Sequence, residues 1–261
     1  MPASVLLHHG PEHPCEWRAL PAVTAPSRGG TDAPIEAGPE DAGLSRAERV
    51  YRHLRAGIRA GAYRPGQRLR ETQLAAALDT SRTPVREAIR RLEADRLVED
   101  VPGRGLAVAR LDQDRVRELY QFRMAIEGAA AEMAALHATA LDIAELSDLL
   151  EQMRTAAGDS ARAAHLNRRF HEGIYRAARN SFLSHAIAAM TDFMALLPGT
   201  TYALPGRAAE VVEEHERVLR AIAERDPEEA ARAVRAHIQK AAQFRLRMTG
   251  AEELAGVTTA G

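Results

Sequence analysis

The sequence predicts a mostly α-helical protein in two parts: short helices with a β-hairpin near the N-terminus, then an antiparallel helical bundle. Three observations carry that expectation. Apolar residues recur at helical spacing up to Leu92, and again from Gln113 to about Met248. Between them, two β-prone runs flank Pro102-Gly103-Arg104-Gly105, the pattern of a hairpin around a turn. Gly and Pro interrupt the helical pattern often enough to divide it into separate helices.

Residues 1–43 are rich in Pro, Gly, Ala and Ser, keep no sustained period, and read as a mobile tail. His8, His9, His13 and Cys15 lie within this tail, where no framework would hold them as a metal cluster. Residues 44–110 read as the first domain. Val50, Leu54 and Ile58 place an apolar stripe on a helix over about 45–60, stopped by Gly61 and the turn Arg64-Pro65-Gly66. A shorter helix over about 71–78 buries Leu74, Ala75 and Leu78, and Asp79-Thr80-Ser81 leads tightly into a third. Helix, short helix, tight turn, helix is the helix-turn-helix arrangement. The hairpin that follows would be its wing, giving an N-terminal winged helix-turn-helix with Arg104 at the tip, within reach of a DNA backbone or minor groove.

The third helix, Ser81-Arg82-Thr83-Pro84-Val85-Arg86-Glu87-Ala88-Ile89-Arg90-Arg91-Leu92, has two faces. Val85, Ala88, Ile89 and Leu92 form the buried stripe, while Arg82, Arg86 and Arg90 stack at i, i+4 and i+8 on another side. Ser81 or Thr83 can cap its start, and Pro84 falls in the first turn, where a missing N–H costs nothing. Guanidinium groups and small hydroxyls at the N-terminal end of such a helix can read a DNA major groove. An ordinary amphipathic helix with a solvated face has the same pattern, so the neighbours decide. Between residues 44 and 110 stand 15 Arg against 8 Asp plus Glu, although the whole chain carries a net charge of −1. A basic module on an otherwise acidic protein is the electrostatic footprint expected for a polyanionic partner.

Leu69-Arg70-Glu71-Thr72-Gln73-Leu74-Ala75 and Thr80-Ser81-Arg82-Thr83-Pro84-Val85-Arg86-Glu87-Ala88 resemble the winged helix-turn-helix of GntR-type bacterial transcription regulators. The resemblance implies operator contacts from Arg82, Thr83 and Arg86, with Gly105 at the wing. Thr72 stands where such regulators often carry Arg, and Asp79 where they usually carry Gly. Asp tolerates the left-handed conformation, so the turn is expected to survive.

The 261 residues suffice for two modest domains, and 46% apolar content is that of a globular chain. No run of about 18 apolar residues suggests a membrane span, and no secretory signal pattern opens the chain. A single cysteine, Cys15, excludes an intrachain disulfide and fits a cytoplasmic protein.

Residues 111–248 read as an all-helical second domain, and 249–261 as a C-terminal tail. Leu119, Phe122, Ile126, Ala130 and Met133 give its first stripe; Leu141, Leu146, Leu149, Leu150 and Met153 give its second. A third helix is expected over about 160–178, a fourth capped by Asn180, and two more over about 205–225 and 227–248, each opening near a proline. With no strand signal, an antiparallel bundle of six or so helices is the simplest packing. His171 lies four residues after Asn167, His215 sits near a buried stripe, and His237 falls among apolar residues of the last helix. Such spacing is compatible with three separate half-buried histidines, or with three imidazoles converging on a divalent cation. His53, His137, His165 and His185 show no comparable pattern.

Arg123-Met124-Ala125-Ile126-Glu127, Asn167-Arg168-Arg169-Phe170-His171, Arg179-Asn180, Glu214-His215 and the stretch from Ala221-Ile222 through Asp226 to His237 resemble the FCD-type ligand-binding domain of the FadR-like branch. In that branch three histidines and an Asp or Asn commonly hold a metal, whose coordination a carboxylate effector completes. By position the resemblance implies Asn167, His171, His215 and His237 as ligands, for zinc first, with manganese or nickel compatible. Asn167 stands where Asp is common, and a neutral carbonyl binds a hard cation less strongly. Arg123 is then a second cationic partner for the effector, or simply the partner of Glu127 one turn on. The resemblance implies a dimeric, effector-controlled regulator, usually a repressor, on a palindromic double-stranded DNA operator. A metal sensor keeps the same residues. A metalloenzyme is disfavoured, because no carboxylate is evidently placed beside the histidines as general base.

Overall fold

The computed structural model describes residues 43–156 and 158–258. The histidines and cysteine of the expected N-terminal tail lie outside the described residues. The first helix, α1 (Arg46–Arg59), begins where the Ser45 hydroxyl accepts the Glu48 N–H at 3.1 Å. The second, α2 (Glu71–Ala77), is joined by a tight turn to α3 (Arg82–Ala94). Asp79 in that turn adopts φ +45°, the left-handed conformation a glycine would take freely. Ser81 occupies the cap position of α3 but makes no side-chain cap bond. The expected cap at Ser81 or Thr83 is corrected here, and Pro84 supplies the reason. It is the third residue of the helix, so one of the two N–H groups from which a capping hydroxyl accepts is missing.

Strands β1 (Val98–Val101) and β2 (Gly105–Val108) pair antiparallel, with Val98 opposite Val108 and Val101 opposite Gly105. Gly103 and Gly105 take φ of +73° and +74° in and beside the turn, which a side chain would strain. Val50, Leu54, Ile58, Leu74, Leu78, Val85, Ile89, Leu92, Leu97 and Val108 close one core beneath the three helices and the hairpin. Three helices with a two-stranded wing form the predicted winged helix-turn-helix.

The helical half contains α4 (Gln113–His137), α5 (Ala140–Thr155), α6 (Ser160–Ala177), α7 (Ser181–Met194), α8 (Arg207–Ala223) and α9 (Pro227–Thr258). Asn180 caps α7 by accepting the Leu183 N–H at 3.0 Å, as its position predicts. Thr139 and Asp142 form a reciprocal capping box at the start of α5. Small buried residues, Ala130, Ala131 and Ala134 on α4 and Ala230, Ala233 and Val234 on α9, let these two helices pack closely. Gly173 performs the same service for α6, since a Cβ there would lie 2.8 Å from Leu146 Cδ2 of α5.

Several expectations need correcting. Phe122 and Leu141, placed on buried stripes, are 47% and 78% exposed. The buried face of α4 runs instead through Leu119, Arg123, Ile126, Glu127 and Ala130, so a buried charge pair occupies positions that hydropathy assigns to the surface. Leu141 sits in the first turn of α5, ahead of the helix's first fully buried residue, Leu146. The expected tail at 249–261 is helical to Thr258, because Ala251-Glu252-Glu253-Leu254-Ala255 favours helix even after the apolar period fades. A short 3-10 turn, Thr201–Ala203, was not anticipated. Just past α7, Leu196 is buried within the N-terminal core, with Phe193 and Ala195 packed against it. The two halves therefore share one helix end.

Candidate functional site

His171 on α6, His215 on α8 and His237 on α9 meet in the bundle, each buried, with one ligand atom apiece within 4.8 Å of the others. Phe170 stacks flat on His215, centroids 4.2 Å apart and planes at 8°, which fixes that ring. Two carboxylates hold the other rings. His237 Nδ1 is hydrogen-bonded to Glu214 Oε2 at 2.7 Å. His171 Nδ1 stands 2.8 Å from Glu127 Oε2, close but off the hydrogen-bond axis. Sequence reasoning left no carboxylate beside the histidines; the structure places two, neither of which has a local spacing to reveal its role.

Both carboxylates are themselves tied down. Arg123 Nε donates to Glu127 Oε1 at 2.7 Å, and the Tyr175 hydroxyl donates to Oε2 at 2.7 Å. Burial works against the Glu127 charge, yet Arg123 and His171 hold its carboxyl well below the usual range. Arg207 Nη1 and Nη2 grip Glu214 at 2.6 and 2.9 Å. Burial likewise opposes the Glu214 charge, but hydrogen bonds from His237 and Arg207 bring it to about 2. Burial lowers His237 to about 4, partly offset by Glu214, and holds His215 well below the ordinary imidazole value with help from its two histidine neighbours. Ionised carboxylates behind imidazoles are the arrangement that orients metal-binding histidines.

Orphaned buried atoms test whether a cation fits. His171 Nε2, both ring nitrogens of His215 and Asn167 Oδ1 are buried with no hydrogen-bond partner. Leaving such atoms unpaired costs about 1–3 kcal/mol each, and a divalent cation would take His171 Nε2, one nitrogen of His215 and Asn167 Oδ1 together. The donor set of three imidazoles and an amide oxygen suits zinc, manganese or nickel.

Beside the histidines lies a cavity of about 250 Å³, lined by Asn167, His171 and His237 and by Arg59, Arg123, Arg207 and Arg245. The Tyr202 hydroxyl, Arg207 Nε and Arg245 Nε are buried there without partners. Arg123 pairs with Glu127, the simpler of its two expected roles, and it also lines the cavity. His215 is absent from the cavity wall, although it completes the histidine cluster.

The basic face is separate. Val85, Ala88, Ile89 and Leu92 bury one side of α3, and Ser81, Arg82, Thr83, Arg86 and Arg90 are exposed. Arg86 grips Glu71 of α2 with two bonds of 3.0 Å, and Arg82 Nη2 reaches the same carboxylate at 3.2 Å. Exposed ion pairs are worth roughly 0–1 kcal/mol, so these guanidinium groups remain free to exchange Glu71 for a phosphate or base. Arg104 is exposed at the hairpin tip beside Gly105.

Residues 46–108 match the family described as bacterial regulatory proteins, gntR family, and residues 118–240 match the FCD domain. YdhC, a helix-turn-helix-type transcriptional regulator of Bacillus subtilis, is 30% identical over 190 residues, covering 72% of this chain and 85% of its own. The chain belongs to the GntR family. It is a DNA-binding transcription regulator of that family, and the proteins it resembles are regulators, not enzymes. A further GntR-type relative, described as a probable D-xylose utilization operon transcriptional repressor of Paenarthrobacter nicotinovorans, is 32% identical and covers 66% of this chain and 76% of its own. The solved structure of McbR from Escherichia coli superposes with a TM-score of 0.65 at 26% identity, covering 78% of this chain and 99% of McbR. Among the described residues, no helix of this GntR-family chain is long and apolar enough to cross a membrane.

Proposed function

We propose that this GntR-family chain is a cytoplasmic repressor, active as a homodimer on a palindromic double-stranded DNA operator and released by a small organic acid. Residues 44–110 read the DNA, and residues 111–248 carry the effector site and the dimer contacts. One observation carries the reading: three buried histidines, two of them with unpaired ring nitrogens, meet beside a cavity lined by arginines. His171, His215, His237 and Asn167 would hold the divalent cation, zinc first. When bound, the cation offers open coordination positions to a carboxylate.

Arg123 faces the same cavity and is the second anchor for the acid, since a guanidinium can hold a carboxylate through charge-assisted hydrogen bonds. Glu127 and Glu214 orient His171 and His237. Ser81, Arg82, Thr83, Arg86 and Arg90 face the major groove, with Arg104 and Gly105 at the flanking backbone. The repressor relative supports the sign of regulation. Two-fold symmetry would set two α3 helices about one DNA turn apart. For release, the acid must bind one dimer geometry better than the other.

The test is calorimetry of metal-loaded wild type and Arg123→Ala with a panel of organic acids, alongside operator mobility shifts. An acid that releases DNA and binds Arg123→Ala at least tenfold more weakly supports the reading. An acid that releases DNA but binds both proteins equally makes Arg123 structural only. DNA release that follows metal and ignores every acid would make the cation itself the signal.

A further inference from the structure

Arg59 belongs to the DNA-binding module yet lines the cavity of the helical half. It lies in the last turn of α1, where its guanidinium meets Oδ1 of Asp192 on α7 and its Nη2 donates to the Ala188 carbonyl at 3.1 Å. Arg55, one turn earlier, takes Oδ2 of Asp192 through Nε at 2.9 Å and Nη2 at 2.6 Å. Asp192 is only 6% exposed, so a buried carboxylate of the helical half is neutralised by two cations of the other half. The same α7 walls the cavity with Met190, Thr191 and Met194, and Leu196 beyond it is seated in the DNA-binding core. A ligand in the cavity touches the element that carries both attachments.

The cavity cations differ in what they can release. Arg123 is the cation that neutralises Glu127, and drawing it away would strand a buried carboxylate. Arg207 shares Glu214 with Lys240, but it is fully buried and grips that carboxylate through two nitrogens. Arg245 is tied to the Pro198 carbonyl. Arg168 is exposed and belongs to α6 of the helical half. Arg59 is the cavity cation that belongs to the DNA-binding module, and it shares Asp192 with Arg55, so the carboxylate stays paired when Arg59 turns away.

Building on the anion site proposed above, we propose that Arg59 is a ligand-binding residue of the cavity, recruited from Asp192 by an anionic group of the bound acid. Its recruitment couples the cavity to α1. Val50, Leu54 and Ile58 of α1 share one packed core with Val85, Ile89 and Leu92 of α3, so a pull on α1 displaces the arginine face with it. A diacid fits this arrangement best, with one carboxylate toward the histidines and the other toward Arg59.

Zinc-loaded full-length wild type, Arg59→Ala and Asp192→Asn are titrated with malonate, succinate and glutarate by calorimetry. At least one diacid should bind the wild type, and Arg59→Ala should weaken it on the order of tenfold, as loss of a charge-assisted bond implies. Asp192→Asn should tighten it several-fold, because Arg59 is freed while Leu196 still anchors the module. A structural role alone would not move the two variants in opposite directions. Equal affinity in all three proteins, or weakening in both variants, overturns the role of Arg59 and leaves the anion site standing. No binding of any diacid to the wild type overturns both. Should Arg59→Ala not fold, the direction of the Asp192→Asn shift decides.

Discussion

Nδ1 of His237 lies 2.7 Å from Oε2 of Glu214, and that contact decides which ring nitrogen is left to bind a cation. The carboxylate is ionised, so Nδ1 carries the proton and Nε2 keeps its lone pair. Arg207, fully buried on the far side of the same carboxylate, keeps Glu214 in place. The chain from guanidinium to carboxylate to imidazole, built from α8 and α9, is a support for the proposed metal site.

Glu214→Gln should therefore lower metal affinity by about 10–100-fold, the range seen when such supporting carboxylates are changed. Competition with a chromophoric chelator measures it. Unchanged affinity would show that the His237 ring is oriented by packing alone.

Metal should also stabilise the fold. A ligand bound only by the native state at a hundredfold excess over its Kd contributes about 2.7 kcal/mol, or several degrees of Tm for a chain of this size. The increment should vanish in the His171→Ala, His215→Ala double variant, and elemental analysis should fall from about one metal per chain towards zero. A double variant with full metal content would refute the ligand assignment.

On the DNA face, Arg82→Ala or Arg86→Ala should each cost about 1–3 kcal/mol of operator binding if a bidentate base contact is lost. Because both side chains are half exposed and held only by Glu71, neither substitution should disturb the fold. Mobility shifts at several salt concentrations separate the two kinds of contact: losing a phosphate contact flattens the salt slope by about 0.9, losing a base contact does not. Wild-type affinity in both variants would remove α3 as the reading helix.

The capping box of α5 should show itself in acid. The backbone N–H and hydroxyl of Thr139 both hold Asp142, which lowers its carboxyl below the ordinary value. A depressed carboxyl contributes stability above its unfolded pKa and loses it as pH falls through the folded value. Asp142→Ala should thus melt about 2–4 °C below wild type at neutral pH, taking a capping interaction as about 1 kcal/mol. The gap should close as pH falls through the lowered folded value of Asp142. A gap that persists there would assign the loss to packing instead of charge.

The sequence by itself determined the elements and the arginine face of α3. Val85, Ala88, Ile89 and Leu92 against Arg82, Arg86 and Arg90 is a statement about one helix, and helical period is local, so it survives without a fold. The turn at Asp79, the cap at Asn180 and the hairpin turn at Gly103 were legible for the same reason. Asn167 and His171 could be placed on one face of α6, but spacing could not say that His215 and His237 come to meet them. Only the tertiary structure decided that, together with Glu127 and Glu214 behind the rings and the arginines around the cavity. Phe122 and the Arg123–Glu127 pair exchanged expected places because hydropathy cannot anticipate a charge neutralised in the core. Arg55 and Asp192 stand 137 residues apart, and no local period relates them. Such partners are chosen by the packing of whole helices against one another, a property of three dimensions that the order of residues specifies but does not display.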